Sequence, residues 1–595
     1  MVILHCILGL IPVLLVLEQS VSVLGKARPV EPINIRLTRE VGAPAPIDCQ
    51  LSGWGKWSEC EPCAKQRYRS RSIVAFGQYG GKRCLSPLGD TQSCKPDKPC
   101  DIEPPVCPNS DYQCESGRCI KKRLVCNTDN DCGDFSDELC DDQEPKPTCR
   151  GGDIELSEIG KTAGNGLNIL GMDTRSNPFD NEYFNGLCDR VRDGNTRLYY
   201  RKPWNVASLV YQTRADKSFT TETFEDSVQL ISKMVEENTN TFGLSLSLKY
   251  TPTELNDTTI TGGLGITSKK TERLENIKKY INAKNKIFMK VSGSVQLGTF
   301  HLRSRGAMLS STFLEDIAFL PTTYDKGVYY EFLETYGTHY TLSGTVGGKY
   351  ELVYVLDSHK IKTEEITTTD ISNCLGFNLD LSVKAEGVDG KAKIENEKCK
   401  KVLGNTEQTG NKSGVIDNVV SFVDGGTTQF ASTLGQKLER GERAIDLEIY
   451  VQWAISLAEA PVLIKQKPNA IYSLIPVDVK DAHTKKMNLE RAIEDYLNEF
   501  SVCKCQPCQN GGTTLLLDGE CICKCTLHFE GTACQNRKSD IEKPPSIAID
   551  GQWGCWSVSS ACINEEQTLT RQCNNPAPAF GGKQCPGDSQ KQIPC

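Results

Sequence analysis

Long apolar runs are almost missing from this 595-residue chain. After residues 2–17 no stretch approaches 18 consecutive apolar residues, which excludes a helical membrane anchor from the rest. Positive charge is not in excess either: the formal net charge is −8, whereas a nucleic-acid binder is expected to be basic. Histidines number only six. Cysteine is scarce in one region alone. Of 29 cysteines, 13 fall in 49–149 and 12 in 503–595, and only three lie in the roughly 350 residues between. Small disulfide-stapled modules therefore flank one large ordinary domain in an oxidising compartment. The mean hydropathy of −0.38 is that of a soluble globular chain.

Residues 2–17 are apolar apart from His5, Gly9 and Pro12, a length that suits a secretory signal core. A signal peptide over 1–24 is expected, cleaved between Ser22 and Gly25, so that the mature protein is secreted. Losing Cys6 leaves 28 cysteines, an even number. Asn256-Asp-Thr and Asn411-Lys-Ser are glycosylation candidates.

Three kinds of small module follow from the cysteine spacing. Residues 46–101 place six cysteines around Trp54-Gly-Lys-Trp57 and Arg67-Tyr-Arg-Ser-Arg71. So short a segment buries little core and needs stacked Trp and Arg side chains with disulfides. It resembles a thrombospondin type 1 repeat. A second copy at 548–595 carries Trp553-Gly-Cys-Trp556 but no clear Arg strip. The resemblance implies mannose on Trp54 and Trp553.

Residues 105–142 hold six cysteines and Cys126-Asn-Thr-Asp-Asn-Asp-Cys-Gly-Asp-Phe-Ser-Asp-Glu138. So many oxygens crowded together repel one another unless a hard cation neutralises them, and calcium takes six to eight such ligands. A solvated acidic loop is the alternative. The pattern resembles a low-density-lipoprotein-receptor class A repeat. That implies one structural calcium held by side chains of Asn127, Asp131, Asp137 and Glu138 and by backbone oxygens of Leu124 and Asp129. It also implies the pairs Cys107–Cys119, Cys114–Cys132 and Cys126–Cys140. Residues 503–535, with Cys505-Gln-Pro-Cys508-Gln-Asn-Gly-Gly, resemble an epidermal-growth-factor-type module. Zinc is disfavoured there by secretion and by the lack of nearby histidine beyond His528. Six cysteines fill that module and leave Cys503 over; the terminal repeat also has an odd count. A Cys503–Cys555 bridge between modules is expected.

The central domain, 145–502, reads as α+β. Helices are expected over 224–237 and 485–500, and a core-facing one from Phe313 to Leu320. Three runs alternate strictly: Phe242, Leu244, Leu246, Leu248 to Tyr250; Ile287 to Leu297 through Val291 and Val295; and Leu375, Phe377, Leu379, Leu381, Val383 to Ala385. Nine to eleven residues is the length of a tilted membrane strand, and also of an amphipathic strand in a soluble sheet.

Tyr336-Gly337-Thr338-His339-Tyr340 followed by Gly347-Gly348 resembles the signature of the membrane-attack-complex/perforin family, with Tyr200-Arg-Lys-Pro-Trp204 and 162–173 nearest its terminal complement members. The resemblance implies a bent central sheet with two helical clusters, each unfurling into a transmembrane β-hairpin, one around 215–297 and one around 358–422. Glycines 347–348 and 425–426 would permit sharp strand bending. Cys149–Cys188 and Cys374–Cys399 pairs are implied. The implied partners are the upstream complex of components five b to eight, further copies of the chain in a ring, and target-membrane lipid. The protein would then be soluble in plasma first and membrane-inserted after assembly. No enzyme is expected, since His339 has no identifiable nucleophile and orienting acid.

Overall fold

The computed structural model describes residues 42–595 apart from 85, 101–106, 141–143, 150–153, 170–172, 195, 216–219, 226–229, 231–276, 278–279, 281–284, 376–398, 400, 403–413, 440–446, 518, 527, 539–547, 561–565 and 595. The expected signal segment and both Asn-linked sites lie outside these residues.

The large domain is built on an eight-stranded antiparallel sheet. Its strands are β1 (Gly166–Asn168), β2 (Asp173–Arg175), β5 (Val206–Ala215), β6 (Thr220–Phe224), β7 (Lys286–Leu302), β8 (His339–Asp357), β9 (Ile416–Asp424) and β10 (Val462–Ala470). A separate hairpin joins β3 (Arg190–Arg192) to β4 (Tyr199–Arg201). The 19-residue β8 is the spine. On one edge it pairs first with β1 and then with β7; on the other it pairs with β10 up to Gly347 and with β9 from Lys349. The long β7 likewise pairs with β6 near its start and with β5 near its end. The sheet thus has two tiers. One is β5, β7, β8 and β10; the other is β6, β7, β8 and β9.

Helices α1 (Ser311–Phe319), α2 (Lys326–Tyr336) and α7 (Ala482–Glu499) pack at the first tier. Each short helix begins where a side chain satisfies free backbone donors. Ser310 accepts from the Phe313 amide, and Asp325 accepts from the amides of Gly327 (2.8 Å) and Val328 (3.2 Å). Phe313 and Ile317 are fully buried and Leu320 nearly so, so the amphipathic stretch faces the core as expected. Helix α7 buries Leu489, Ala492, Ile493 and Tyr496. The second tier carries α3 (Ser358–Thr363), α4 (Thr368–Leu375), α5 (Thr428–Glu439) and α6 (Leu447–Ser456).

The start of one expected helix is corrected. Phe224 ends strand β6, opposite Phe288, because Thr220-Thr-Glu-Thr-Phe224 is β-branched and aromatic and completes the edge of β7. Of the expected span 224–237, Leu230 is helical and residues 226–229 and 231–237 lie outside those described.

The flanking modules meet. Strand Gly77–Gln78 of the first thrombospondin repeat pairs in parallel with Glu520–Cys521 of the cysteine-rich segment 503–535. Buried Gln78 donates to Gln506 O (2.9 Å) and accepts from its amide (2.8 Å). At the same junction Glu499 accepts from the Ile73 amide (3.0 Å), from Lys504 (2.7 Å) and from Lys326. Burial works against its charge, but Lys504 and Lys326 outweigh it and hold the carboxyl down at about 2.

Candidate functional site

All four strands of the second tier end together. Phe224 lies opposite Phe288, Lys286 opposite Asp357, and Leu356 opposite Ile416. From that end two inserts of about sixty residues leave the sheet, one joining β6 to β7 and one joining β8 to β9. Their described parts pack on opposite faces, since successive strand residues point to opposite sides. Leu230 and Ile277 of the first insert pack with Phe288, Val353, Val355, Val420 and Phe422. Ile366, Ile371, Cys374, Leu375, Cys399 and Val402 of the second pack with Met289, Val291, Leu352, Tyr354 and Leu356.

The expected hairpin residues are placed unevenly. Phe242, Leu244, Leu246, Leu248, Phe377, Leu379, Leu381 and Val383 lie outside the described residues. Val291 and Val295 do not belong to an insert. They are central-sheet core, 0% and 3% exposed, opposite Leu352 and Gly348, because β7 needs its whole 17-residue length to pair with β8. Leu375 closes helix α4 and is buried against the sheet, so the third alternating run begins within a helix. The inserts accordingly span 225–285 and 358–415, narrower than the expected windows.

Between the tiers β8 exchanges β10 for β9 at Gly347–Gly348. A side chain there has no room: a Cβ on Gly348 would sit 2.4 Å from Leu457 Cδ2 and 2.8 Å from Trp453 Cζ2. Gly425 and Gly426 adopt φ of +89° and +82°, where larger residues are strained. The fully buried Trp453 of α6 covers both pairs and donates its Nε1 to Gly425 O at 2.9 Å.

The signature residues form the elbow from α2 into β8. Tyr336 OH donates to Asp316 (2.6 Å). Gly337, at φ +81°, ends the helix and donates to Leu333 O. Thr338 Oγ1 donates to Leu167 O (3.2 Å) and accepts from the Ile169 amide (3.0 Å). His339 is fully buried, with Nδ1 2.9 Å from Thr338 Oγ1 and Nε2 without a partner. Burial depresses its pKa to about 4, so the ring is neutral at pH 7. Tyr340 OH accepts from Asn469 (2.8 Å).

In the acidic loop Asp131 and Asp137 are fully buried. Asn127 donates to Asp131 Oδ2 (2.8 Å), and the Asp131 amide donates to Asp137 Oδ2 (2.9 Å). The remaining oxygens, Asp131 Oδ1 and Asp137 Oδ1, have no partner. Burial pushes the Asp131 carboxyl up to about 7, against the Asn127 hydrogen bond. Two buried carboxylate oxygens without donors fit a cation. Glu138 is turned inward, accepting from the amides of Asn127 and Thr128. Leu124 is fully buried, and Asp129 O accepts from the Asp131 amide. The Cys132 sulfur beside Asp137 is no ligand, being bonded to Cys114.

Disulfides join Cys107–Cys119, Cys114–Cys132, Cys126–Cys140, Cys149–Cys188, Cys374–Cys399 and Cys503–Cys555. The first thrombospondin repeat pairs Cys49–Cys84, Cys60–Cys94 and Cys63–Cys100. Its ladder interleaves Arg71, Trp54, Arg69, Trp57 and Arg67 at 4.2–5.0 Å. In the terminal repeat a single arginine and a lysine take the place of an Arg strip. Arg571 sits 4.4 Å from the Trp553 ring centroid and 4.3 Å from that of Trp556, and Lys591 covers Trp556. Sequence reasoning missed it because Arg571 lies 15 residues from Trp556 with no second Arg beside it. Trp453, Arg201 and Lys286 were also missed; Arg201 stood unweighed inside Tyr200-Arg-Lys-Pro-Trp204.

The MAC/Perforin domain matches residues 159–506, the low-density lipoprotein receptor domain class A residues 105–143, and the thrombospondin type 1 domain residues 52–100. Complement component C9 of Oncorhynchus mykiss is 40% identical over 89% of this chain and 94% of its own length. Complement component C8 alpha chain of Oryctolagus cuniculus is 32% identical over 94% of this chain and 95% of its own. For the C8 beta chain of Mus musculus the figures are 30%, 95% and 92%. With its two-tiered sheet, its paired inserts and these matches, the chain belongs to the MAC/Perforin family, among the pore-forming proteins of complement.

Proposed function

We propose that this chain is the polymerising, component-nine-like member of the membrane attack complex. It is secreted as a soluble precursor, joins the preassembled complex of components five b to eight, and inserts β-hairpins into the target membrane. One observation carries the reading: both inserts leave the same end of one four-stranded tier, and two of the three alternating runs fall within them. Were the inserts to straighten, each would extend two neighbouring strands already in register.

The energetics require company. Each large apolar side chain entering lipid gains about 1.5–3 kcal/mol. An unpaired edge amide or carbonyl in hydrocarbon costs several kcal/mol. The edge cost vanishes only when neighbouring copies supply strands until a barrel closes. Insertion is therefore oligomeric. Polar residues at the alternate positions face a wet lumen.

In the class A module, Asn127, Asp131, Asp137 and Glu138 with the backbone oxygens of Leu124 and Asp129 hold one calcium ion, whose charge supplies what the two unpartnered oxygens lack. Trp54, Trp553, Asn256 and Asn411 are the glycosylation sites of this reading.

Dye release from liposomes carrying the upstream complex tests the proposal. Wild-type protein releases dye, and Leu379→Asp is secreted and recruited but silent, because mid-strand charge would face lipid. Absence of release at saturating wild-type protein overturns it. The identities to the C8 alpha and beta chains support a second reading, a component-eight chain. Counting copies per assembled complex separates them: many for a polymerising component, one for a component-eight chain.

A further inference from the structure

Two of the residues expected to hold calcium, Asp129 and Leu124, are gripped by the perforin-like domain itself, and Asp131 is tied to it through Arg118 of the class A module. The Asp129 carboxylate takes both terminal nitrogens of Arg201, Nη1 at 2.5 Å and Nη2 at 2.7 Å, with side-chain exposures of 6% and 10%. Arg201 ends β4 and is pinned there. Its amide donates to Glu155 O (2.7 Å), its carbonyl accepts from Ser157 (3.2 Å), Nη2 also reaches Leu187 O (3.0 Å), and its guanidinium lies 3.7 Å from the Phe184 ring centroid. Leu124 packs with Tyr183, Trp204 and Met308 of the large domain. The Asp131 carbonyl accepts from Arg118 (3.2 Å), whose Nη1 also reaches Asp180 at 2.8 Å and whose Nη2 donates to Leu309 O (3.4 Å).

A buried bidentate Arg–carboxylate pair has one geometry and is not replaceable by a point charge. By taking both Asp129 carboxylate oxygens, Arg201 leaves that residue only its backbone oxygen to offer an ion. We propose that Arg201 is a positioning residue for the calcium loop, so that calcium binding and docking of the class A module on the perforin-like domain are thermodynamically linked. The inference rests on the calcium reading above. Linkage is reciprocal: if docking strengthens calcium binding, calcium strengthens docking by the same factor.

The experiment titrates calcium into full-length protein by calorimetry and follows hydrogen exchange with and without chelator. Arg201→Met should weaken calcium binding roughly 10- to 100-fold, the usual cost of losing an outer-shell partner, and Arg201→Lys should fall between. Chelation of wild-type protein should speed exchange at residues 183–187, which belong to the large domain. If wild-type protein binds no calcium, the calcium reading falls and the linkage with it. If it binds, but Arg201→Met binds equally well or exchange at 183–187 is unmoved, the linkage alone falls. Should Arg201→Met fail to be secreted, the wild-type exchange measurement decides.

Discussion

Lys286 Nζ lies 3.4 Å from Asp357 Oδ2, at the point where β7 begins and β8 ends. The same lysine reaches Asp417 at the start of β9. The Asp357 carboxylate also caps α3, accepting from the amides of His359 (3.0 Å) and Lys360 (3.1 Å). Burial opposes its charge, but the Lys360 amide and Lys286 hold the carboxyl below the usual range. Asp357 therefore stops the strand and starts the helix, and straightening the second insert must break that cap.

Asp357→Ala should loosen α3 by about 1 kcal/mol, the usual value of an N-cap. The expected result is faster hydrogen exchange over 358–363 and self-association at a lower concentration than wild type, read by light scattering. Unchanged exchange there would show that the cap does not hold the helix.

The corner between the tiers is packed around missing side chains. Gly348→Val should destabilise by about 1–3 kcal/mol, since overpacking forces Trp453 and Leu457 aside. Gly89→Ala, where nothing lies within 4 Å, should be nearly neutral. Thermal melts of the two variants check this. Equal melting temperatures would mean that the corner has slack.

His339 gives the fold a sensitivity to acid. Its pKa is lowered from 6.5 to about 4 by burial, so the unfolded chain binds the extra proton first as pH falls. The contribution is intact above about 6.5, is lost progressively down to about 4, and levels off below that, amounting to about 3 kcal/mol. Denaturation of wild type at pH 7 and pH 4.5 should differ by more than that of His339→Asn. Parallel losses would assign the acid sensitivity elsewhere.

Much of this molecule was legible in its sequence, and for a physical reason. The class A cysteines and carboxylates must sit at fixed spacing to close a small stapled loop, so 107–140 names its own chemistry. Helix α7 and the Phe313–Leu320 helix carry a 3.6-residue apolar period that one buried face imposes. Alternation proved less specific. Val291 and Val295 alternate because one face of β7 packs into the core while the other carries Lys290, Ser292, Ser294 and Gln296, a pattern shared with a membrane strand. Phe224 fell at helical spacing from Val228 and Ile231 while completing the edge of β7. The pairs Arg201–Asp129 and Trp453–Gly425 lie 72 and 28 residues apart. Such contacts exist only after folding, and no local pattern marks them.

The described helices of the inserts, α3 and α4 among them, must leave the sheet before lipid is entered. Ser372 Oγ of α4 lies 3.9 Å from Met289 Sδ of β7, so cysteines at the two positions fall within the span of a short bifunctional thiol reagent. The Ser372→Cys, Met289→Cys double variant, joined by a disulfide-containing bifunctional thiol reagent, should bind liposomes carrying the upstream complex and release no dye. Mild reduction should restore release, with each single variant as its control. Dye release by the cross-linked protein at the wild-type rate would contradict the claim.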